Sequence, residues 1–129
     1  MRKAWLAACL MAAPAGAQDV QRGAELFQGH CAACHGADAQ GAGPMTAVLE
    51  VSPPDLTTLA SGETADFPTA RVVRSIDGRD VILSHGGPMP LFGMLLEDES
   101  AVVDGEDGTP IITKQAVVDI ASWLASIQR

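Results

Sequence analysis

The chain is poor in positive charge. Its 129 residues hold eight Lys and Arg against sixteen Asp and Glu, a formal net charge of −8. Nucleic acid is thereby excluded as a partner, because neutralising phosphates calls for a basic patch. Association with anionic membrane surfaces is disfavoured for the same reason. A long apolar run is also missing. The longest, residues 4–13, falls well short of the roughly 20 residues a spanning helix needs. No internal repeat is present, and no strand alternation is convincing enough to predict a sheet, so the expected fold class is all-α. Cysteines are few: Cys9, Cys31 and Cys34. They cannot build a disulfide framework, and a bridge between Cys31 and Cys34 would close too short a loop to staple a fold.

What is present begins with an export-type leader. Arg2 and Lys3 precede the apolar run, Pro14 breaks it, and Ala15-Gly16-Ala17 is a small-x-small cleavage site. Cleavage would divide the chain into a signal peptide, residues 1–17, and one mature domain, residues 18–129. This places the protein in the periplasm, soluble after processing. Leu6-Ala7-Ala8-Cys9 resembles a lipoprotein box, but a cut there leaves almost no apolar segment before the cysteine. Losing Arg2 and Lys3 makes the mature domain two units more negative and leaves Lys114 as its only lysine.

Within that domain, residues 18–33 read as a first helix. Ala24, Phe27 and Cys31 share a face, and Asp19 is suited to the N-cap. Gly23 lies inside this helix, where glycine costs about 1 kcal/mol relative to alanine, and close approach of another helix would account for it. Residues 36–66 are rich in glycine and proline and read as irregular, with one short helix at 45–50 and an extended stretch at 51–56. So long an irregular segment fits a compact domain only if it wraps something. Residues 66–77 read as a helix with Val73 and Ile76 in its apolar stripe and Gly78 as its stop. Its Arg71 and Arg74 lie on another face, as solvated charges or as partners for an anionic group. The acidic stretch 97–107 is expected to be an exposed loop. Thr113 is expected to cap the last helix, whose face is Val117, Ile120, Ala121 and Leu124.

The stretch that carries chemistry is Cys31-Ala32-Ala33-Cys34-His35. Two intervening residues put both sulfurs on nearby faces of one helical turn. There they can bond to the two vinyl groups along one edge of a haem, with His35 beneath the iron, and C-x-x-C-H is the pattern of c-type haem attachment. Two other chemistries compete. A thioredoxin-like redox pair should sit beside a βαβ pattern, and none is visible. A structural zinc site needs four ligands, and Cys31, Cys34, His30 and His35 crowd one short stretch. A second axial ligand is sought among Met45, Met89, Met94, His30 and His85. His30 sits on the attachment turn itself. Met45 lies only ten residues beyond His35, and Met94 reads as core at the start of a helix. Met89, between Pro88 and Pro90, is a methionine presented by a stiff loop; His85 is the alternative.

The chain resembles the small monohaem class I c-type cytochromes over essentially all of residues 18–129. Besides the attachment motif, the resemblance rests on Gly23 and Phe27 placed eight and four residues before Cys31, on Gly43-Pro44, and on Asp119-Ile120-Ala121-Ser122-Trp123-Leu124 near the C-terminus. It implies three to five helices wrapped around one covalently attached haem c, the first and last crossing near a right angle with Phe27 and Trp123 packed at the crossing. It also implies that the Pro44 carbonyl accepts a hydrogen bond from the His35 ring, a contact that orients a metal-bound imidazole. Cys31 and Cys34 would hold the haem, and His35 and Met89 would ligate its iron. The lysine ring with which basic members of the family meet acidic partners is missing here.

The expected activity is one-electron transfer, not catalysis. Methionine sulfur favours Fe(II), and two strong axial ligands leave no position for a substrate. Redox protein partners with a positive or apolar docking surface are implied. The domain would act as a free monomeric carrier or as a relay subunit of a periplasmic oxidoreductase complex. A gas- or peroxide-binding haem would require Met89 to be off the iron.

Overall fold

The computed structural model describes residues 18–61, 65–79 and 89–129. The leader, residues 81–83 and the alternative ligand His85 lie outside them. Among the described residues there are four α-helices and one antiparallel pair of strands: α1 Val20–His30, α2 Ala32–His35, α3 Thr69–Asp77, β1 Ser100–Asp104, β2 Pro110–Lys114 and α4 Gln115–Ser126. Three short 3-10 turns, Pro44–Val48, Leu56–Thr58 and Phe92–Met94, punctuate the irregular segments. No helix among the described residues is long and apolar enough to cross a membrane.

The organising contact is the crossing of α1 and α4. A Cβ added to Gly23 would stand 2.0 Å from the backbone oxygen of Asp119 and 3.0 Å from the Trp123 Cβ. Only a residue without a side chain lets the two backbones come this close, which accounts for a glycine in mid-helix. Phe27 fills the space beside it. It is 1% exposed, and its ring centroid lies 4.5 Å from that of Trp123 at an interplanar angle of 41°, within the range of favourable aromatic pairs. Ile120, Val117 and Leu124 bury the rest of the α4 face, as the spacing predicts, and Val73 and Ile76 of α3 join the same core.

A charged cluster pins the crossing from the side. Asp119 is 1% exposed, yet its carboxylate is fully engaged. Oδ1 accepts from the Asp19 backbone N–H at 3.0 Å and from Gln115 Nε2 at 2.8 Å, and Oδ2 accepts from Arg22 Nη1 at 2.6 Å. Arg22 also donates to Asp98 at 2.5 Å. A buried carboxylate is tolerated only when paired and hydrogen-bonded in this way. Asp19 caps α1 by accepting from the Arg22 N–H, as expected. Gly78, in the left-handed conformation at φ 73°, ends α3.

The structure corrects several expectations. The first helix does not run through to residue 33. It stops at His30, and Cys31 serves as the joint from which α2 starts. The acidic stretch is not simply a loop: residues 100–104 pair with 110–114, with Val102 opposite Ile112 and Val103 opposite Ile111. Mixed side chains and a Gly-rich turn at 105–108 hide the alternation there. Ala101, Val103, Ile111 and Thr113 face inward while Val102 and Ile112 face out. Thr113 therefore lies in β2, where its hydroxyl donates to Asp77 at the end of α3, and the N-cap position of α4 falls to Lys114. One of the free N–H groups in the first turn of α4, that of Gln115, donates to the Glu99 carbonyl. Met94 is not core; it sits in a 3-10 turn and is 78% exposed.

Two outcomes test this account. Gly23→Ala should destabilise the fold by about 1–3 kcal/mol through overpacking against fixed backbone. Gly29→Ala, in the same helix with nothing within 4 Å, should stabilise it by up to about 1 kcal/mol; urea unfolding distinguishes the two. The Arg22 guanidinium holds the Asp98 carboxyl below its ordinary value of 3.8. Its folded-state value is thus depressed, so its contribution is complete above the unfolded value and disappears as pH falls through the folded one. Asp98→Asn should be less stable than wild type at neutral pH, and the gap should close in acid when urea midpoints are compared across pH.

Candidate functional site

The break at Cys31 creates a separate turn for the attachment motif. The N–H groups of Cys34 and His35 both donate to the Cys31 carbonyl, at 3.1 and 2.9 Å, which closes the turn and sets Cys31, Cys34 and His35 on one side. The loop that follows folds back on this turn. Gly36, at φ 81°, reverses the chain. Gly41 N–H then donates to the His35 carbonyl at 2.7 Å and Gly43 N–H to the Cys34 carbonyl at 3.2 Å. A Cβ on Gly43 would lie 2.4 Å from the Ala33 carbonyl oxygen, so this glycine permits the close approach.

Cys31, Cys34 and His35 all open onto one cleft of about 520 Å³, a volume typical of cofactor and ligand sites. Its walls are mostly apolar. Leu49, Val51, Pro53, Pro54, Leu56 and Leu59 come from the irregular segment, Val72 and Ile76 from α3, Leu124 from α4, and Met89, Pro90 and Phe92 from the segment before the hairpin. The long irregular segment does wrap something, namely this cleft. Its far end is strapped down by the C-terminal residues. Gln128 donates to the Leu56 carbonyl and accepts from the Ala60 N–H, while Arg129 donates to Thr57 Oγ1 and to Asp55. The Asp55 carboxyl lies below its usual range, chiefly because it accepts from the Thr57 hydroxyl and N–H.

The electrostatics discriminate among the chemistries of the motif. Burial pushes the Cys31 thiol up to about 12, with the neighbouring Cys34 adding to the shift. A thioredoxin-like pair requires the opposite, a depressed thiol that is thiolate at neutral pH. The described strands form only an antiparallel hairpin, without the βαβ unit of that fold. No group of three or more His, Cys, Asp or Glu placed to hold a metal ion occurs among the described residues, so the zinc reading has no support. Burial lowers the His35 imidazole, which keeps it neutral, the state a metal ligand requires.

His35 Nδ1 is buried without any hydrogen-bond partner among the described residues. A buried nitrogen left unpaired costs about 1–3 kcal/mol. The expected hydrogen bond from the His35 ring to the Pro44 carbonyl is not formed. Pro44 opens the 3-10 turn Pro44–Val48. Of the methionines considered as axial ligands, Met89 alone lines the cleft; Met45 and Met94 do not, and are 45% and 78% exposed. His30 also reaches the cleft, from the last residue of α1.

The cytochrome c family model matches residues 20–128. The chain belongs to the cytochrome c family. No curated protein and no solved structure matches it significantly. The family holds haem c covalently and uses it for electron transfer, and the cleft suits such a group: two thiols and a neutral imidazole on one turn, facing apolar walls. Bound there, the haem would supply a one-electron iron couple. The residues of this cytochrome would do the rest: Cys31 and Cys34 anchor it, His35 offers a nitrogen, and the apolar walls exclude water.

Sequence reasoning missed the hinge at Cys31, because residues 20–35 keep a helical pattern across it. It also missed the contribution of the C-terminal Gln128 and Arg129 to the cleft wall, for which two polar residues after an apolar helix give no signal. The attachment assignment is tested by Cys31→Ala combined with Cys34→Ala. The double variant should carry no haem through denaturing electrophoresis, whereas the wild type keeps a haem-staining band.

Proposed function

We propose that this cytochrome is a periplasmic one-electron carrier holding a single haem c through Cys31 and Cys34, with His35 and Met89 as axial ligands of the iron. The observation that carries this reading is that Met89 lines the same cleft as Cys31, Cys34 and His35, while the other described methionines considered do not. Such ligation gives the iron two strong axial partners and no position for a substrate. The thioether favours Fe(II) and raises the potential relative to a second imidazole, and the apolar walls act in the same direction. The leader read in residues 1–17 supports export and a mature domain of residues 18–129.

Redox partners would meet the domain through small, weak interfaces. The negative charge favours a positively charged partner surface. Lys114, the single lysine of the mature domain, is occupied in donating to the Leu96 carbonyl at 2.7 Å, so a lysine-based docking ring is not the mode of contact. A second role, as a relay subunit of an oxidoreductase complex, is supported by Val102 and Ile112. They are cross-strand neighbours on the outer face of the hairpin and are 62% and 67% exposed, an apolar pair suited to a more lasting contact.

Met89→Ala should lower the reduction potential, abolish the red-region sulfur-to-iron band of the oxidised protein and admit carbon monoxide to the reduced iron. An unchanged ferric spectrum would remove Met89 from the iron and turn attention to His85.

A further inference from the structure

We propose that Arg71 and Ser75 of α3 form an acid-binding subsite in the wall of the cleft, and that it takes a propionate of the haem. This inference rests on the haem reading above and adds a positioning role for two residues that the attachment motif does not include.

Three observations converge on this pair. Arg71 is the only arginine or lysine among the described residues that lines the cleft. Ser75 lines it too, and four residues along a helix is the spacing that stacks two side chains on one face. A guanidinium above a hydroxyl, both on a rigid element, is a ready donor set for a carboxylate. Ser52, from the irregular segment, lines the same cavity with another hydroxyl.

The second observation is what Arg71 lacks. The chain has sixteen acidic residues; Arg22 holds two of them in ion pairs, and Arg79 and Arg129 hold one each. Arg71 donates to no described residue. The third is the contrast with Arg74, one turn along the same helix. Arg74 faces the hairpin, where Glu106 and Asp107 are close enough to feel its charge, and it lines a separate cavity with Arg79. The two arginines that look alike in sequence are therefore assigned by the fold to different anions, Arg74 to acids of the protein and Arg71 to an acid brought by the ligand. In a domain this negative, a propionate inserted without a cation would be opposed by the field of the protein. Arg71 removes that opposition.

The test compares Arg71→Gln, Arg74→Gln and Ser75→Ala in the haem-loaded protein, by potentiometric titration at low and high salt. Covalent haem is quantified separately by the pyridine haemochrome spectrum. Loss of the Arg71 cation beside the propionate should favour the ferric state roughly threefold to tenfold, tenfold being about 59 mV for a one-electron couple. The shift should persist at high salt, since a direct pair is screened far less than a distant surface charge. Ser75→Ala should shift the potential in the same direction by less, and Arg74→Gln should have only a small effect that salt removes. Equal potentials for Arg71→Gln and Arg74→Gln, or an Arg71→Gln shift abolished by salt, would overturn the subsite while leaving the haem reading intact. Should Arg71→Gln fail to load haem, Ser75→Ala decides, and a wild-type potential there rejects the proposal. A wild-type chain without the haemochrome spectrum would instead reject the haem reading and the subsite together.

Discussion

Everything in this domain depends on how closely two helical backbones can approach. At Gly23 the first and last helices meet with no side chain between them, and that contact fixes the line along which the rest is laid. Because α1 is held there, its C-terminal end is held too, and the attachment turn begins one residue beyond it. Phe27 transmits the constraint. Its ring touches Trp123 on one side and lies 6.5 Å from the His35 ring on the other, so the packing that stabilises the crossing also positions the imidazole. The buried Asp119 carboxylate, bound to Asp19, Gln115 and Arg22, locks the same junction electrostatically. Arg22 extends the lock to Asp98 and hence to the segment that enters the hairpin.

The cleft is then built by chain that has little regular structure of its own. Residues between α2 and α3 hold their course through backbone contacts. Gly41 and Gly43 bind the carbonyls of the attachment turn, and the Ala39 carbonyl accepts from Leu56 N–H. Prolines at 53 and 54 keep the wall extended. The hairpin performs a comparable service on the other side. Glu106 accepts from the Ala70 N–H at 3.0 Å, satisfying one of the free N–H groups at the start of α3 that Pro68 cannot cap. Thr113 holds its last residue, Asp77. The helix that presents Arg71 and Ser75 to the cleft is thus clamped at both ends by an acidic hairpin, so part of the charge expected in an exposed loop is structural.

The features legible in the sequence were those with a local physical signature. Asp19 capped a helix because its side chain reaches an N–H three residues on, and Gly78 ended one because glycine adopts positive φ at no cost. The apolar stripe of α4 was readable from its 3.6-residue period. The cysteine-histidine motif was readable because its residues fall within one turn, and all three open onto one cleft. Other features had no local signature. The hinge at Cys31 interrupts an unbroken helical pattern. The hairpin conceals its period of two behind aspartates, a proline and a lysine, and Thr113 resembles a cap until Asp77 is found beside it. The bond expected between His35 and Pro44 is not formed, and His35 Nδ1 has no partner among the described residues.

The sequence by itself determined what local spacing and composition can carry: a cysteine-histidine motif whose spacing suits a haem, a glycine that demands a neighbouring backbone, a helix face that demands a core, and a negative net charge. These follow from bonds and contacts within a few residues, where composition and spacing are enough. Only the tertiary structure decided which methionine reaches the cleft, which of two arginines faces it, and which acids are surface charges and which are caps. Those choices join residues tens of positions apart, and they are settled by how the chain returns on itself around the crossing at Gly23.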